Sequence, residues 1–148
     1  VVPHIVVNEG IGGDSSSHTL NRINSILSRN PDINRANILL GTNDAGGSMP
    51  VPSGAGCSGA SCNGTFKGNM QALIDGLPVG TTASVALIPP AFGSSTTTSP
   101  YTDPLSASRN ITVQQYNAVI TGELLNMQVG TDLFTALLTH SVNLFSLF

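Results

Sequence analysis

A chain of 148 residues, 40% apolar and only 9% charged, can bury one core; it is too short for two domains and too apolar for intrinsic disorder. Five basic against eight acidic side chains give a net charge of −3, which argues against nucleic acid as a partner because no basic surface is available to neutralise phosphates. No apolar run approaches the ~20 residues of a membrane-spanning helix. One domain covering residues 1–148 is therefore expected.

In chain order, the β-branched run Ile5-Val6-Val7 predicts a buried strand. It is closed by the glycine-rich turn Asn8-Glu9-Gly10-Ile11-Gly12-Gly13-Asp14. Asp14 and Ser15 are suitable N-caps for a helix whose apolar positions are Leu20, Ile23, Ile26 and Leu27, with Pro31 as its stop. Ile38-Leu39-Leu40 predicts a second buried strand, ending at Gly41-Thr42-Asn43-Asp44. Strand, helix and strand in this order spell the βαβ unit of a parallel sheet. Residues 45–64 read as a long surface loop. Phe66, Met70, Leu73, Ile74 and Leu77 then mark a second helix. Val85-Ala86-Leu87-Ile88 predicts a third strand, residues 91–110 a polar loop, and Val113, Tyr116, Ile120, Leu124 and Met127 a third helix. The alternation predicts an open, mostly parallel sheet with helices on both faces. In such sheets ligands bind beyond the carboxyl ends of the strands, which points to Gly10–Asp14 and Gly41–Asp44.

Cys57 and Cys62 are separated by Ser58-Gly59-Ala60-Ser61, a span that suits a small disulfide-closed loop. Free thiols are the alternative, and no neighbouring Cys or His cluster supports zinc. A disulfide would imply a secreted or periplasmic protein. Asn63-Gly64-Thr65 and Asn110-Ile111-Thr112 have the form of glycosylation triplets.

Glycines at Gly10, Gly12 and Gly13 allow backbone N–H groups to approach a ligand, and the following helix start adds partial positive charge. An oxyanion suits that place, although the same residues also suit a tight turn without a ligand. A dinucleotide fingerprint is not completed, since Ser15 stands where a further glycine is required. Asn43, past a strand end, can aim its amide at a developing oxyanion, a donor worth ~3–4 kcal/mol in a transition state, or can simply turn the chain.

Together, Asn8-Glu9-Gly10-Ile11-Gly12-Gly13-Asp14 and Leu39-Leu40-Gly41-Thr42-Asn43-Asp44, with a helix between them, resemble the second and third conserved blocks of the GDSL/SGNH family of serine ester hydrolases. The later helix, strand and Ile88-Pro89-Pro90 are similar too, so the resemblance runs through most of residues 4–127. It implies a flavodoxin-like three-layer α/β/α sandwich with a mostly parallel sheet, and an acyl-serine mechanism without metal or organic cofactor. Gly13 and Asn43 would be oxyanion-hole donors, with Asp14 and Asp44 in support, ordering their turns through backbone hydrogen bonds. The implied substrate is a small-molecule ester, such as a lipid or an acetylated carbohydrate, selected by the loops at 45–64 and 91–110.

Two departures from the family pattern bear on activity. Upstream of Gly13, where the family pattern has its nucleophile, no Gly-Asp-Ser motif occurs (the triplet Gly13-Asp14-Ser15 belongs to the turn itself), and the base motif Asp-x-x-His is absent from the sequence. His4, His18 and His140 read as structural or exposed, and Ser15, Ser16 and Ser17 as helix N-terminal residues. The absent initiator Met and the apolar end Leu144-Phe145-Ser146-Leu147-Phe148 imply that a first strand and a C-terminal helix are missing. Weak or no esterase activity is expected for these residues and hydrolysis for an intact parent, with an exposed sheet edge and marginal solubility. The alternative is a non-catalytic module of the same fold that binds a carboxylate or carbohydrate. A nucleotide-binding flavodoxin-like domain is disfavoured, because no Walker pattern and no complete glycine fingerprint exist.

Overall fold

The computed structural model of the chain describes residues 5–51, 62–89 and 104–129. Ser15 caps the first helix, α1 (Ser16–Asn21), its hydroxyl accepting the His18 N–H at 3.4 Å. The helical run breaks at Arg22, whose backbone leaves helical geometry, and resumes as α2 (Ile23–Arg29). At the break the Arg22 side chain turns back to Asp14 at 2.6 Å and to the Glu9 carbonyl at 2.9 Å. Glu9 in turn meets Arg29 at 2.6 Å and Asn30 at 2.8 Å, so the glycine-rich segment is laced to both helices. The Arg29 hydrogen bond, followed by that from Asn30, holds the Glu9 carboxyl below the usual carboxylate range.

The sheet has three parallel strands in the order β1-β2-β3: β1 (Arg35–Ile38), β2 (Thr82–Val85) and β3 (Gln128–Val129). Arg35 registers with Thr82 and Ile38 with Val85, then Ser84 with Gln128 and Val85 with Val129. Between the strands lie α3 (Thr42–Gly46), α4 (Phe66–Asp75) and α5 (Pro104–Gly122). Thr65 caps α4, donating its hydroxyl to the Cys62 carbonyl at 2.6 Å and accepting the Gly68 N–H at 3.1 Å. Phe66, Met70, Leu73 and Ile74 on α4 meet Val113, Tyr116, Val119 and Ile120 on α5, with Ala83, Val85 and Ile88 beside them. Each of the larger apolar side chains contributes about 2 kcal/mol by its burial. Phe66 stacks on Tyr116 with ring centroids 4.0 Å apart. Burial alternates along β2, with Ala83 and Val85 enclosed and Thr82 and Ser84 partly open, so one sheet face carries the core.

This is a mixed α/β arrangement with a parallel sheet, and it corrects several expectations. Ile5-Val6-Val7 is not a buried strand: the three residues are 89%, 92% and 57% exposed, and no described strand pairs with them. An isolated β-branched run has neither ladder partners nor an apolar face to cover. The predicted strand at 38–40 lies upstream at 35–38, is half exposed, and leaves Leu39 61% exposed. The strand predicted at 85–88 runs from 82 to 85. The Ile88 backbone is instead paired by the Asn117 side chain, which donates to the Ile88 carbonyl at 2.9 Å and accepts its N–H at 2.8 Å. Helix α5 starts inside the predicted loop at 91–110, on Pro104, a residue suited to a first helical turn. Leu124 and Met127 lie beyond its end at Gly122, Met127 just before β3, which sequence reading did not anticipate. Asn110 is only 4% exposed, so the asparagine of its triplet is not presented to solvent. Among the described residues no helix is long and apolar enough to cross a membrane.

Candidate functional site

Gly13 sits at φ +86°, in a turn closed by the Asp14 N–H donating to the Ile11 carbonyl at 3.1 Å. Glycine reaches this conformation without steric cost. Gly41, three residues past β1, sits at φ +123° and turns the chain into α3. These two turns, distant in sequence, are stitched together twice. Asn43 Nδ2 donates to the Asp14 carbonyl at 2.8 Å. Asp44 accepts the Ser16 N–H with both carboxylate oxygens, at 3.1 and 3.0 Å, and also accepts the Ser16 hydroxyl. Asp44 is 1% exposed and caps α1 from another segment of the chain.

The paired turns open on a cavity of about 330 Å³ lined by Gly13, Ser15, His18, Asn43, Asp44 and Met49, among others. Gly13 and Asn43 therefore face one space. The Asn43 amide spends one hydrogen on Asp14, and its second hydrogen has no partner among the described residues; nor does the Gly13 N–H. Two N–H donors at the rim of one cavity can hold a carboxylate or a developing oxyanion. Helix α3 ends with the Met49 N–H donating to the Asp44 carbonyl at 2.9 Å and the Ser48 N–H to the Ala45 carbonyl at 3.3 Å, with Ser48 at φ +58°. That is the Schellman arrangement, and it sets Met49 back toward the cavity.

The two supporting aspartates are placed differently. Asp44 orders the opposite turn through a backbone N–H, whereas Asp14 is engaged by side chains, pairing with Arg22 and accepting the Thr19 hydroxyl at 3.3 Å. Ser15 is the α1 cap, with its hydroxyl 2.9 Å from that of Ser17, and Ser16 is fully buried. His18 is exposed at the cavity edge. His4 and His140 lie outside the described residues, as does Cys57. Cys62 is disulfide-bonded. Among the described residues no group of three potential ligands could hold a metal ion.

No protein-family model, curated protein or solved structure matches this chain. What the cavity can do follows from its own donors.

Sequence reading missed the residues beneath the cavity. Asn69 of α4 is 4% exposed and donates to Ser16 Oγ at 3.1 Å. Its signal was available, since it falls on the apolar stripe of α4, where a polar side chain must find a partner. Tyr116 appeared only as a core position, yet its hydroxyl donates to the Met49 carbonyl at 2.6 Å.

Burial first, and then the Asp44 charge, push the Tyr116 phenol above its ordinary value of 10.0. A raised folded pKa means that this contribution to stability is fully present below about pH 10 and is lost as pH rises further, because only the unfolded chain then releases the proton. Alkaline unfolding, followed by tyrosinate absorbance, should begin above that pH. Tyr116→Phe should move the midpoint upward while costing about 1 kcal/mol at neutral pH. An unmoved midpoint would assign the transition to other groups.

Proposed function

We propose that this chain carries the oxyanion-binding half of a GDSL/SGNH-type serine ester hydrolase site, on a flavodoxin-like α/β/α sandwich exported to an oxidising compartment. One observation carries the reading: Gly13 and Asn43, from two sequence-distant turns, line the same cavity, with Asn43 held by the Asp14 carbonyl. The parallel sheet and the position of the Gly41 turn beyond the carboxyl end of β1 support it. The bonded state of Cys62 supports export.

In the proposed reaction a serine hydroxyl attacks the ester carbonyl, and its proton passes to a base. The Gly13 N–H and Asn43 Nδ2 donate to the oxygen as it becomes negative. Collapse releases the alcohol, and water then hydrolyses the acyl-serine by the same route. No Gly-Asp-Ser motif precedes the Gly13 turn and no Asp-x-x-His occurs in the sequence, so these residues alone should turn esters over weakly or not at all. The substrate is a small ester, a lipid or an acetylated carbohydrate.

Two measurements test this reading. Titrating the labelled chain with acetate should shift the NMR signals of the Gly13 amide and the Asn43 side-chain amide together; if neither moves, the anion site is refuted. In a chain extended by its flanking coding sequence, p-nitrophenyl acetate should be hydrolysed, and Asn43→Ala should lower kcat about a hundredfold or more. Acetate binding without turnover in the extended chain would identify a non-catalytic carboxylate-binding module instead.

A further inference from the structure

We propose that Asn69 and Ser16, with Asp44, form a buried positioning relay that aims the Asn43 amide and the Gly13 N–H at one point. The proposal rests on the oxyanion reading of the cavity, and it adds residues that neither motif contains.

The direction of the relay follows from donor and acceptor chemistry. The Asn69 Nδ2 group can only donate, and it lies 3.1 Å from Ser16 Oγ. Ser16 Oγ therefore accepts from Asn69 and must turn its own hydrogen elsewhere. The acceptor facing it is Asp44 Oδ1, and the structure pairs those two atoms. With the hydroxyl committed, the Asp44 carboxylate is fixed in the orientation in which both oxygens also take the Ser16 N–H. All three residues are enclosed, at 4%, 0% and 1% exposure for Asn69, Ser16 and Asp44, so water does not offer them alternatives.

The geometric consequence reaches the cavity through adjacent residues. Asp44 grips Ser16, and its neighbour Asn43 grips the Asp14 carbonyl. Two crosslinks one residue apart on α3, joined to positions two residues apart near the start of α1, set both the separation and the rotation of the two turns. Gly13 directly precedes one of those positions. The Met49 thioether lies 3.3 Å from Asn69 Nδ2 and 3.4 Å from Ser16 Oγ, between the relay and the cavity it lines. Helix α4, which contributes no donor to the rim, thus governs the direction of the donors from behind.

The test uses the full chain, with Ser16→Ala and Asn69→Ala as variants. The spectroscopic readout is the Asn43 side-chain amide, whose two proton signals are spread further apart while one is bonded to Asp14. In both variants the separation of that proton pair should shrink toward that of a solvated asparagine, and the Gly13 amide should shift. The Ile88 amide, held by Asn117 elsewhere in the core, should stay in place. The affinity for acetate should fall at least fivefold. If the Asn43 and Gly13 signals keep their wild-type positions in a folded variant, the relay is overturned. Should Ser16→Ala fail to fold, Asn69→Ala decides, because Asn69 belongs to neither turn. Should both fail, the parent chain decides by hydrogen exchange: the Ser16 amide must be among the slowest, and rapid exchange there overturns the relay. The two readings fail separately. A parent that does not bind acetate refutes the anion site but leaves the relay to be judged on the Asn43 signals. A parent that binds, with variants that bind equally well, refutes the relay alone.

Discussion

Gly41→Ala should destabilise the chain by about 3 kcal/mol, combining the ~1–2 kcal/mol cost of left-handed backbone with the ~1–3 kcal/mol of overpacking. The residue sits at φ +123°, and an added Cβ would lie 2.2 Å from Ile88 Cδ1 and 3.0 Å from Phe66 Cε2. A terminal methyl can often swing aside, but Ile88 is 1% exposed and its backbone is pinned on both sides by Asn117. Phe66 is fully buried against Tyr116, so it cannot yield either. Gly13→Ala provides the control. Its φ of +86° carries the backbone cost, but a Cβ there meets nothing within 4 Å, so about 1 kcal/mol is expected. Urea unfolding of the two variants separates the terms. A Gly41→Ala variant no less stable than Gly13→Ala would mean that the core around Ile88 repacks freely.

Asp44→Asn should be comparably damaging, at about 3 kcal/mol, although it removes a buried charge. Two effects compete. Neutralising the carboxylate relieves its desolvation, which alone would stabilise the variant. Against this, both oxygens already face donors: Oδ1 the Ser16 N–H and hydroxyl, Oδ2 the same N–H. Whichever way the asparagine amide is flipped, its NH₂ group points at a donor. Hydrogen bonds to a charged acceptor contribute roughly 1.5–3 kcal/mol each, and a buried unpaired donor costs 1–3 kcal/mol more, so the loss outweighs the relief. Thermal unfolding should fall by about 10 °C for a chain of this size. An unchanged or raised midpoint would show that desolvation dominates at Asp44.

Helices were more legible in the sequence than strands, for a physical reason. The Ser15 cap and the Phe66 to Ile74 stripe are local signals, and both mark helices in the structure. The apolar run at 85–88 reports where the chain is buried, not where its backbone pairs, and the run at 38–40 reports neither, with Leu39 61% exposed; the ladder uses polar Arg35, Asn37, Thr82 and Ser84. Ile5-Val6-Val7 has strand composition without a neighbour, and composition cannot supply one. The start of α5 was hidden because Ser108, Asn110 and Thr112 lack an apolar period, yet the segment after Pro104 contains no helix breaker until Gly122. At the candidate site the motif residues could be named in advance, but the contacts beneath them depend on α4 packing behind α1, which no local pattern encodes.

Every strand pairing in this sheet is parallel and joins distant positions, Arg35 with Thr82 and Ser84 with Gln128. Among the described residues no hairpin exists to nucleate it, so each ladder must wait until a long intervening stretch has been closed and its entropy lost. The sheet should therefore form late, after α4 and α5 have gathered around Phe66 and Tyr116. Until then β1 lacks its β2 partner as well and is open along both edges, while the Ile5-Val6-Val7 run is bare throughout. That interval, rather than the finished structure, is when chains of this protein are most prone to stick to one another. Refolding yield should accordingly fall steeply with protein concentration.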